Sequence, residues 1–161
     1  MLPVPRPCLP SRAGAARTGA VLALVLVPSL AACGSPVTVE PGPLASATAC
    51  AEVMLALPSQ VAGQERRSTD SQSTAAWGDP PVVLRCGVEP AGPTTDPCEQ
   101  HGGIDWTARP TDDGYVLFST FGLDPAIDVL VAPGASPDQV SAPLDEVAPA
   151  LVGLPVTAAC S

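Results

Sequence analysis

The sequence predicts an α+β domain: a mostly antiparallel sheet of about four strands, two helices packed on one face of it, and two disulfides. Three observations support this class. Segments with apolar residues at helical spacing lie at both ends of residues 47–161, and segments with alternating apolar residues lie between them. The same region contains four cysteines, an even number. Helices that flank a run of strands are typical of α+β domains.

The first helix is predicted over residues 48–58. Thr48 is expected to cap it, and Pro58 to end it, because a proline disfavours helical backbone at the residue before it. Its apolar stripe follows the spacing i, i+3, i+4, i+7 and consists of Cys50, Val53, Met54 and Leu57.

The second helix is predicted from Pro137 to Leu151, with Ser136 as its N-cap. Pro143 and Pro149 lie within it, and a proline in a helix interior costs ~3 kcal/mol. We therefore expect a kink, or two short helices with Pro143 in the first turn of the second. The apolar stripe is Val140, Leu144, Val147 and Leu151.

Four segments alternate apolar and polar residues as half-buried strands do. The sequence PTDDG, residues 110–114, predicts a tight turn between two of them, and the polar residues 63–74 predict a solvated loop. The predicted strands are residues 82–88, 103–109, 115–121 and 126–132.

The N-terminus has the pattern of a secretory signal. Three arginines and no acid precede an apolar run over residues 20–32, which is shorter than the ~20 residues of a membrane span. The sequence LAAC, residues 30–33, matches a bacterial lipobox, which predicts a lipid on Cys33; ordinary cleavage that leaves Cys33 as a thiol is the alternative. We thus predict a signal peptide at 1–32, a Pro/Gly-rich tether at 33–46 and one α+β domain at 47–161.

The remaining chain is strongly acidic. Residues 33–161 contain four arginines, no lysine and all 16 acidic residues, so their formal net charge is four minus sixteen, −12. Nucleic acid is not expected as a partner, because its binding requires a basic surface.

Cysteine usage agrees with export to an oxidising compartment. Cys50, Cys86, Cys98 and Cys160 predict two disulfides, for which three connectivities are possible. We favour Cys50–Cys160, which would join the two ends of the domain, and Cys86–Cys98, which flank one Pro/Gly-rich loop. With one histidine and no C-x-x-C motif, no metal and no cofactor are predicted.

Several motifs resemble an uncharacterised family of actinobacterial envelope lipoproteins, the domain-of-unknown-function family 3515. They are LP at 57–58, GQERR at 63–67, WGDPPVVLRCGV at 77–88, Cys98 and GIDW at 103–106. The resemblance covers roughly residues 48–155 and implies an exported, anchored protein with no established activity. It also implies a basic residue in the loop FGLDP, 121–125, and this chain has none there.

One candidate recognition patch consists of Trp77, Arg85 and Arg109, because tryptophan and arginine are frequent interface anchors. The alternative is structural: Trp77 fills a gap at the sheet edge and the arginines pair with acids. If Arg85 serves only recognition, Arg85→Ala should leave the melting temperature nearly unchanged.

No catalytic group is predicted. His101 in HGG lacks an accompanying G-x-S-x-G motif, and Asp112–Asp113 lack calcium-loop spacing, so we interpret them as loop and turn residues. We expect a non-enzymatic lipoprotein on the outer face of the cytoplasmic membrane that binds an envelope protein or cell-wall component. The alternatives are a small-ligand carrier or sensor and an envelope-polymer hydrolase.

Overall fold

The computed structural model describes residues 35–79, 81–132 and 137–160. They form one antiparallel sheet of eight strands in the order β1-β2-β3-β4-β8-β7-β6-β5, with two short helices. The predicted class is therefore wrong: the fold is mostly β, and the sheet has eight strands rather than about four. The strands are β1 Gln60–Val61, β2 Gln64–Arg67, β3 Thr74–Trp77, β4 Val82–Val88, β5 Cys98–His101, β6 Ile104–Pro110, β7 Val116–Thr120 and β8 Ala126–Val131.

All four predicted strands exist and are the longest in the sheet. They are β4, β6, β7 and β8, with five to seven residues each. Their alternation places Leu84, Ile127 and Val129 in the core, as the apolar pattern predicts. The segment PTDDG forms the turn between β6 and β7, where the Gly114 N–H donates to the Thr111 carbonyl at 3.0 Å.

The strands missing from the prediction are short and lie toward the two edges of the sheet. β1, β2, β3 and β5 have only two to four residues. β2, with the sequence QERR, lies within the segment predicted as a solvated loop, and three of its four residues are exposed. A short strand that buries so little apolar surface leaves no alternating pattern in the sequence.

Both helices pack on the core face of the sheet. α1 is Thr48–Ala56, close to its prediction, but Ala47 occupies the N-cap position without a side-chain hydrogen bond. α2 is Pro137–Val147 and continues through Pro143, whose side chain is buried, so packing compensates for its missing N–H. The chain tightens into a 3-10 turn only at Ala148–Leu151, so the division precedes Pro149 and not Pro143. The predicted cap, Ser136, lies outside the described residues.

The two disulfides join different cysteines from those we favoured. Cys50 in α1 bonds to Cys86 in β4, and Cys98 in β5 bonds to Cys160, with Cα–Cα distances of 5.6 and 6.3 Å. The strand order explains the difference. Three strands separate β4 from β5, so these strands lie ~19 Å apart at ~4.8 Å per strand, beyond the ~7 Å that a disulfide spans.

Much of the predicted tether, residues 33–46, lies along the domain. Val37 forms a parallel bridge with Thr69, and its N–H donates to the Ser68 carbonyl at 2.9 Å. Further along, Gly42 and Gly87 approach so closely that a Cβ on either would overlap the backbone of the opposing segment. The contact coincides with a bulge in β4, between Cys86 and Val88. From Val37 onward the predicted tether therefore packs on the domain and does not act as a spacer.

We predict that Gly87→Ala destabilises the protein far more than Gly63→Ala. Both glycines have positive φ, 90° and 69°, but a Cβ at Gly63 meets nothing within 4 Å, whereas one at Gly87 meets the Leu44–Ala45 backbone. The expected loss is about 1 kcal/mol at Gly63 and about 3 kcal/mol at Gly87. Urea denaturation with intact disulfides measures both values; equal losses would show that residues 42–45 do not pack there in solution.

Candidate functional site

The face of the sheet opposite the helices carries a row of polar residues. Arg85 on β4 lies directly opposite Asp128 on β8, and Asp128 lies opposite Ser119 on β7. Cross-strand partners point to the same side of a sheet, so the row is continuous on this outer face. From one side to the other it consists of Thr74, Arg85, Asp128, Ser119, Thr107 and Cys98.

Asp128 is the most buried charge of this row. It is 4% exposed, and each of its carboxylate oxygens accepts one hydrogen bond. Arg85 Nη2 donates to Oδ2 at 2.6 Å, and Ser119 Oγ donates to Oδ1 at 2.6 Å. The side chain of Arg85 is 33% exposed, so the ion pair joins a buried carboxylate to a guanidinium that reaches the surface. Arg85 and Ser119 thus give both oxygens of the buried Asp128 carboxylate a hydrogen-bond partner, which a buried carboxylate requires.

Two Pro/Gly-rich segments rise beside the row and make the outer face concave. Val39 and Glu40 stand over β4, β8 and β7, beside a pocket of about 180 Å³ floored by Val83, Leu117 and Leu130. The loop at 89–96 stands over the β6 side, beside a pocket of about 330 Å³. Leu117 and Asp128 line both pockets, so the two pockets are adjacent. Together they cross four strands, and we call the pair the groove.

The groove has mixed polarity and a slight acidic excess. Its ionisable side chains are two arginines and four acids: Arg85, Arg109, Glu40, Glu89, Asp96 and Asp128. Because Asp128 already neutralises Arg85, the groove is not a cradle for a carboxylate or phosphate. Its apolar floor and paired charges suit an extended ligand with both apolar and polar groups.

Trp77 does not belong to a surface patch with the arginines. It is fully buried in the core, and its Nε1 donates to the Pro58 carbonyl at 3.1 Å. The Arg66 guanidinium lies 5.9 Å from the ring centroid. The structural interpretation of WGDPP is therefore correct for Trp77. Its side chain is buried at the end of β3, a strand whose four residues are all buried.

Arg85 and Arg109 share the outer face, as their alternation predicts, but they do not touch. β8 and β7 lie between β4 and β6, so the strands that carry the two arginines are not neighbours. Arg109 is 63% exposed and stands 3.8 Å from Asp96 in the groove wall. Each arginine thus lies in a different part of the groove, and the predicted patch of Trp77, Arg85 and Arg109 does not form.

The remaining candidates have structural partners. His101 is the last residue of β5 and not the loop residue we predicted; it lies 3.2 Å from Glu99 and 3.8 Å from Asp145, so it links this strand to α2. Asp112 and Asp113 lie in the β6–β7 turn, where Asp113 accepts a hydrogen bond from the Thr111 hydroxyl. Within the ranges that the structure describes, no three His, Cys, Asp or Glu side chains converge as metal ligands.

Asp128 and Ser119 are the site residues that sequence reasoning missed. Asp128 lies in the middle of AIDVLV, a strand whose other residues are almost all buried. An acidic residue at the centre of such a run requires a partner, and Arg85 in another apolar strand is the matching cation. That pairing of isolated charges in apolar strands was the available signal.

We predict that Arg85→Ala destabilises the protein, in contrast to the expectation from sequence. The substitution leaves the Asp128 carboxylate without its cation, at a cost of about 2 kcal/mol, less than a fully buried pair because Arg85 is one-third exposed. Adding Asp128→Asn removes the stranded charge, so the double variant should be more stable than Arg85→Ala alone. Urea denaturation of the two single variants and the double variant measures this coupling; additive losses would refute it.

A second prediction concerns Val39, which lies in one of the two segments that form the walls of the groove. The Val39 N–H donates to Asp70 Oδ1 at 3.0 Å, and this hydrogen bond, together with one from the Thr38 hydroxyl, lowers the pKa of Asp70 below its usual 3.8. A depressed pKa in the folded state means that the contact stabilises the wall above about pH 3.8 and is lost as the pH falls through the lower folded value.

Asp70→Ala should therefore speed amide hydrogen exchange at Val39 at neutral pH, and the difference from the wild type should vanish in acid. Asp112→Ala, at an exposed turn, is the matched control and should leave Val39 unchanged. Exchange at Val39 that is insensitive to Asp70→Ala would contradict the prediction.

Within the described residues, no helix is long and apolar enough to cross a membrane. Comparison with curated proteins and comparison with solved structures gave no significant match. The family described as "Protein of unknown function (DUF3515)" matches residues 15–156, most of the chain. This range includes the motifs that carry the resemblance and all eight strands. The chain belongs to the DUF3515 family.

Proposed function

We propose that this protein is a lipoprotein, anchored through Cys33 to the outer face of the cytoplasmic membrane, whose groove binds an extended segment of another envelope protein. The proposed role is binding without catalysis. The observation that carries it is the groove itself: a concave, mixed-polarity surface on the sheet face opposite the helices.

The anchor is supported by the sequence LAAC at 30–33, which follows an apolar run and three arginines without an acid. The disulfides Cys50–Cys86 and Cys98–Cys160 fit an oxidising compartment outside the cytoplasm. If Cys33 carries two acyl chains, they hold the protein stably, since a single chain binds only marginally.

The choice of a polypeptide as ligand rests on the shape and charge of the groove. The groove crosses four strands, a width of ~14 Å between the outer two, which accommodates an extended segment rather than one compact group. Val83, Leu117 and Leu130 offer half-buried apolar contacts, and the acidic excess favours a neutral or basic segment.

A small-ligand carrier or sensor is the second candidate. The larger pocket, about 330 Å³, lies at the lower end of the ~300–1,000 Å³ typical of small-molecule sites. Its lining includes Thr107 and Ser119, whose hydroxyls could orient a polar ligand.

We predict that Leu117→Arg abolishes partner binding and preserves the fold. Leu117 lies in the centre of the groove and is half-buried on the outer face, so a long charged side chain there extends into the groove and not into the core. Leu55→Arg, on α1 at a position that is 88% exposed, is the matched control on the other side of the molecule.

The measurement is crosslinking in cells followed by mass spectrometry. A protein crosslinked to the wild type and to Leu55→Arg, but not to Leu117→Arg, is the expected result. Equal crosslinking of both variants would place the partner elsewhere, and a bound small molecule in place of a protein would favour the carrier.

Cys33→Ala should release the protein from the membrane; retention would contradict the anchor.

A further inference from the structure

The two disulfides lie in very different surroundings. Both cysteines of the Cys50–Cys86 bond are fully buried between α1 and the sheet. Cys98 is instead an exposed residue at the start of β5, the last strand in the sheet order, and Cys160 is only half-buried. A thiol from solution therefore has access to the second bond and not to the first. Exposed disulfides are commonly the ones that undergo thiol–disulfide exchange.

The segment 155–159, which leads to Cys160, is exposed throughout. It lies along the β7–β8 connection, where the Thr157 N–H donates to the Gly122 carbonyl at 2.6 Å and an isolated antiparallel bridge adds further pairing. The Cys98–Cys160 bond closes this attachment covalently. Breaking the bond leaves the segment attached through exposed hydrogen bonds that water can replace, so local opening becomes easy.

A pocket of about 340 Å³ lies directly beside the exposed bond. Both cysteines line it, together with Thr94, Thr95, Asp96, Thr107, Phe121 and Ala159. Thr94, Asp96 and Thr107 also line the larger pocket of the groove, so the two pockets are adjacent. An accessible disulfide with an adjoining pocket offers an incoming protein both a bond to attack and a surface that receives the residues around its cysteine.

The charges around the bond disfavour small anionic thiols. Asp96 lines the pocket, and the neighbouring Glu99 is exposed. Asp105 Oδ2 accepts a hydrogen bond from the Cys160 N–H at 2.8 Å. Arg109, 3.8 Å from Asp96, offsets only one of these three carboxylates. Glutathione is an anion at neutral pH and is repelled here, whereas a protein dithiol gains contact with the neutral part of the pocket lining.

We propose that Cys98–Cys160 is a thiol–disulfide exchange site whose co-reactant is an exported dithiol protein. One thiolate of that protein attacks Sγ of Cys98, the Cys98–Cys160 bond breaks, and Cys160 leaves as a thiolate that takes up a proton. The second thiol of the co-reactant then attacks the mixed disulfide, which releases Cys98 as a thiol and leaves the co-reactant oxidised to a disulfide. The two electrons and two protons lost by the dithiol thus pass to the cysteine pair.

Reduction has a consequence for the groove. It frees the segment 155–159, and it loosens the 89–96 wall, which ends two residues before Cys98. The exchange itself requires neither the lipid anchor nor a bound partner, whereas an encounter with an exported protein rests on the export proposed above.

The first test uses the purified full-length protein, its free thiols blocked beforehand, with reduced thioredoxin as the dithiol probe. Newly freed cysteines are alkylated, and mass spectrometry follows each disulfide separately. We expect Cys98–Cys160 to be reduced at least about tenfold faster than Cys50–Cys86. A thioredoxin variant without its resolving cysteine should be trapped on Cys98. Equal reduction of both bonds would overturn the exchange site, and glutathione that reacts as fast as thioredoxin would overturn the choice of a protein co-reactant.

A variant of the pocket separates a specific site from general exposure. Ala159→Trp fills the pocket beside the bond and should slow trapping of the thioredoxin variant several-fold, with unchanged urea stability because Ala159 is exposed. Leu55→Trp, on α1 at a position that is 88% exposed, is the matched control and should react as the wild type does. Equally fast trapping in both variants would refute a role for the pocket.

The redox state of each bond in growing cells decides whether exchange takes place there. Cells are quenched in acid, which protonates thiols and stops exchange, and the cysteines are then alkylated. We expect part of Cys98 and Cys160 as thiols or in a mixed disulfide with a second protein, and Cys50–Cys86 fully oxidised. Both bonds fully oxidised, with no mixed disulfide, would overturn the proposal and leave the anchor and the groove unaffected. Both bonds fully reduced would contradict export and, with it, the proposed co-reactant.

Discussion

The pairing of β4 with β8 is the contact on which both faces of the molecule depend. Two consecutive residues of β4 serve opposite sides of the sheet. Cys86 points into the core and bonds covalently to Cys50 of α1, which holds the first helix against the sheet. Arg85 points to the outer face and neutralises Asp128 of β8. A slip of one residue in this register would exchange the two faces, stranding a charge in the core and a cysteine outside.

The sequence contained enough information to locate the long strands but not to count or order the short ones. β4, β6, β7 and β8 alternate because one side of each packs on the core, and that alternation is visible in the residues. β2 buries almost nothing, so its sequence is indistinguishable from that of a polar loop. The disulfide pairing followed from the order of strands, which local patterns do not encode. For the same reason the proximity of Arg85 to Asp128 could be suspected but not established.

Only part of the candidate site could be predicted from the sequence, for a related physical reason. Alternation correctly assigned Arg85 and Arg109 to the outer face, but the distance between them depends on the two strands that lie between. Trp77 illustrates the opposite case: tryptophan is a frequent interface anchor, yet this side chain lies in the core with its N–H satisfied. The groove walls come from Pro/Gly-rich segments that have no periodic pattern, and such segments are indistinguishable in sequence from tethers and loops.

The groove on the outer face is the proposed binding site for the partner of this protein. Amide hydrogen exchange of the anchored protein in isolated cell envelopes, compared with the purified protein alone, tests it most directly. We expect slower exchange in envelopes along the two walls, residues 37–40 and 89–96, with α1 and α2 unchanged. Protection confined to the helices, or no change on either face, would contradict it.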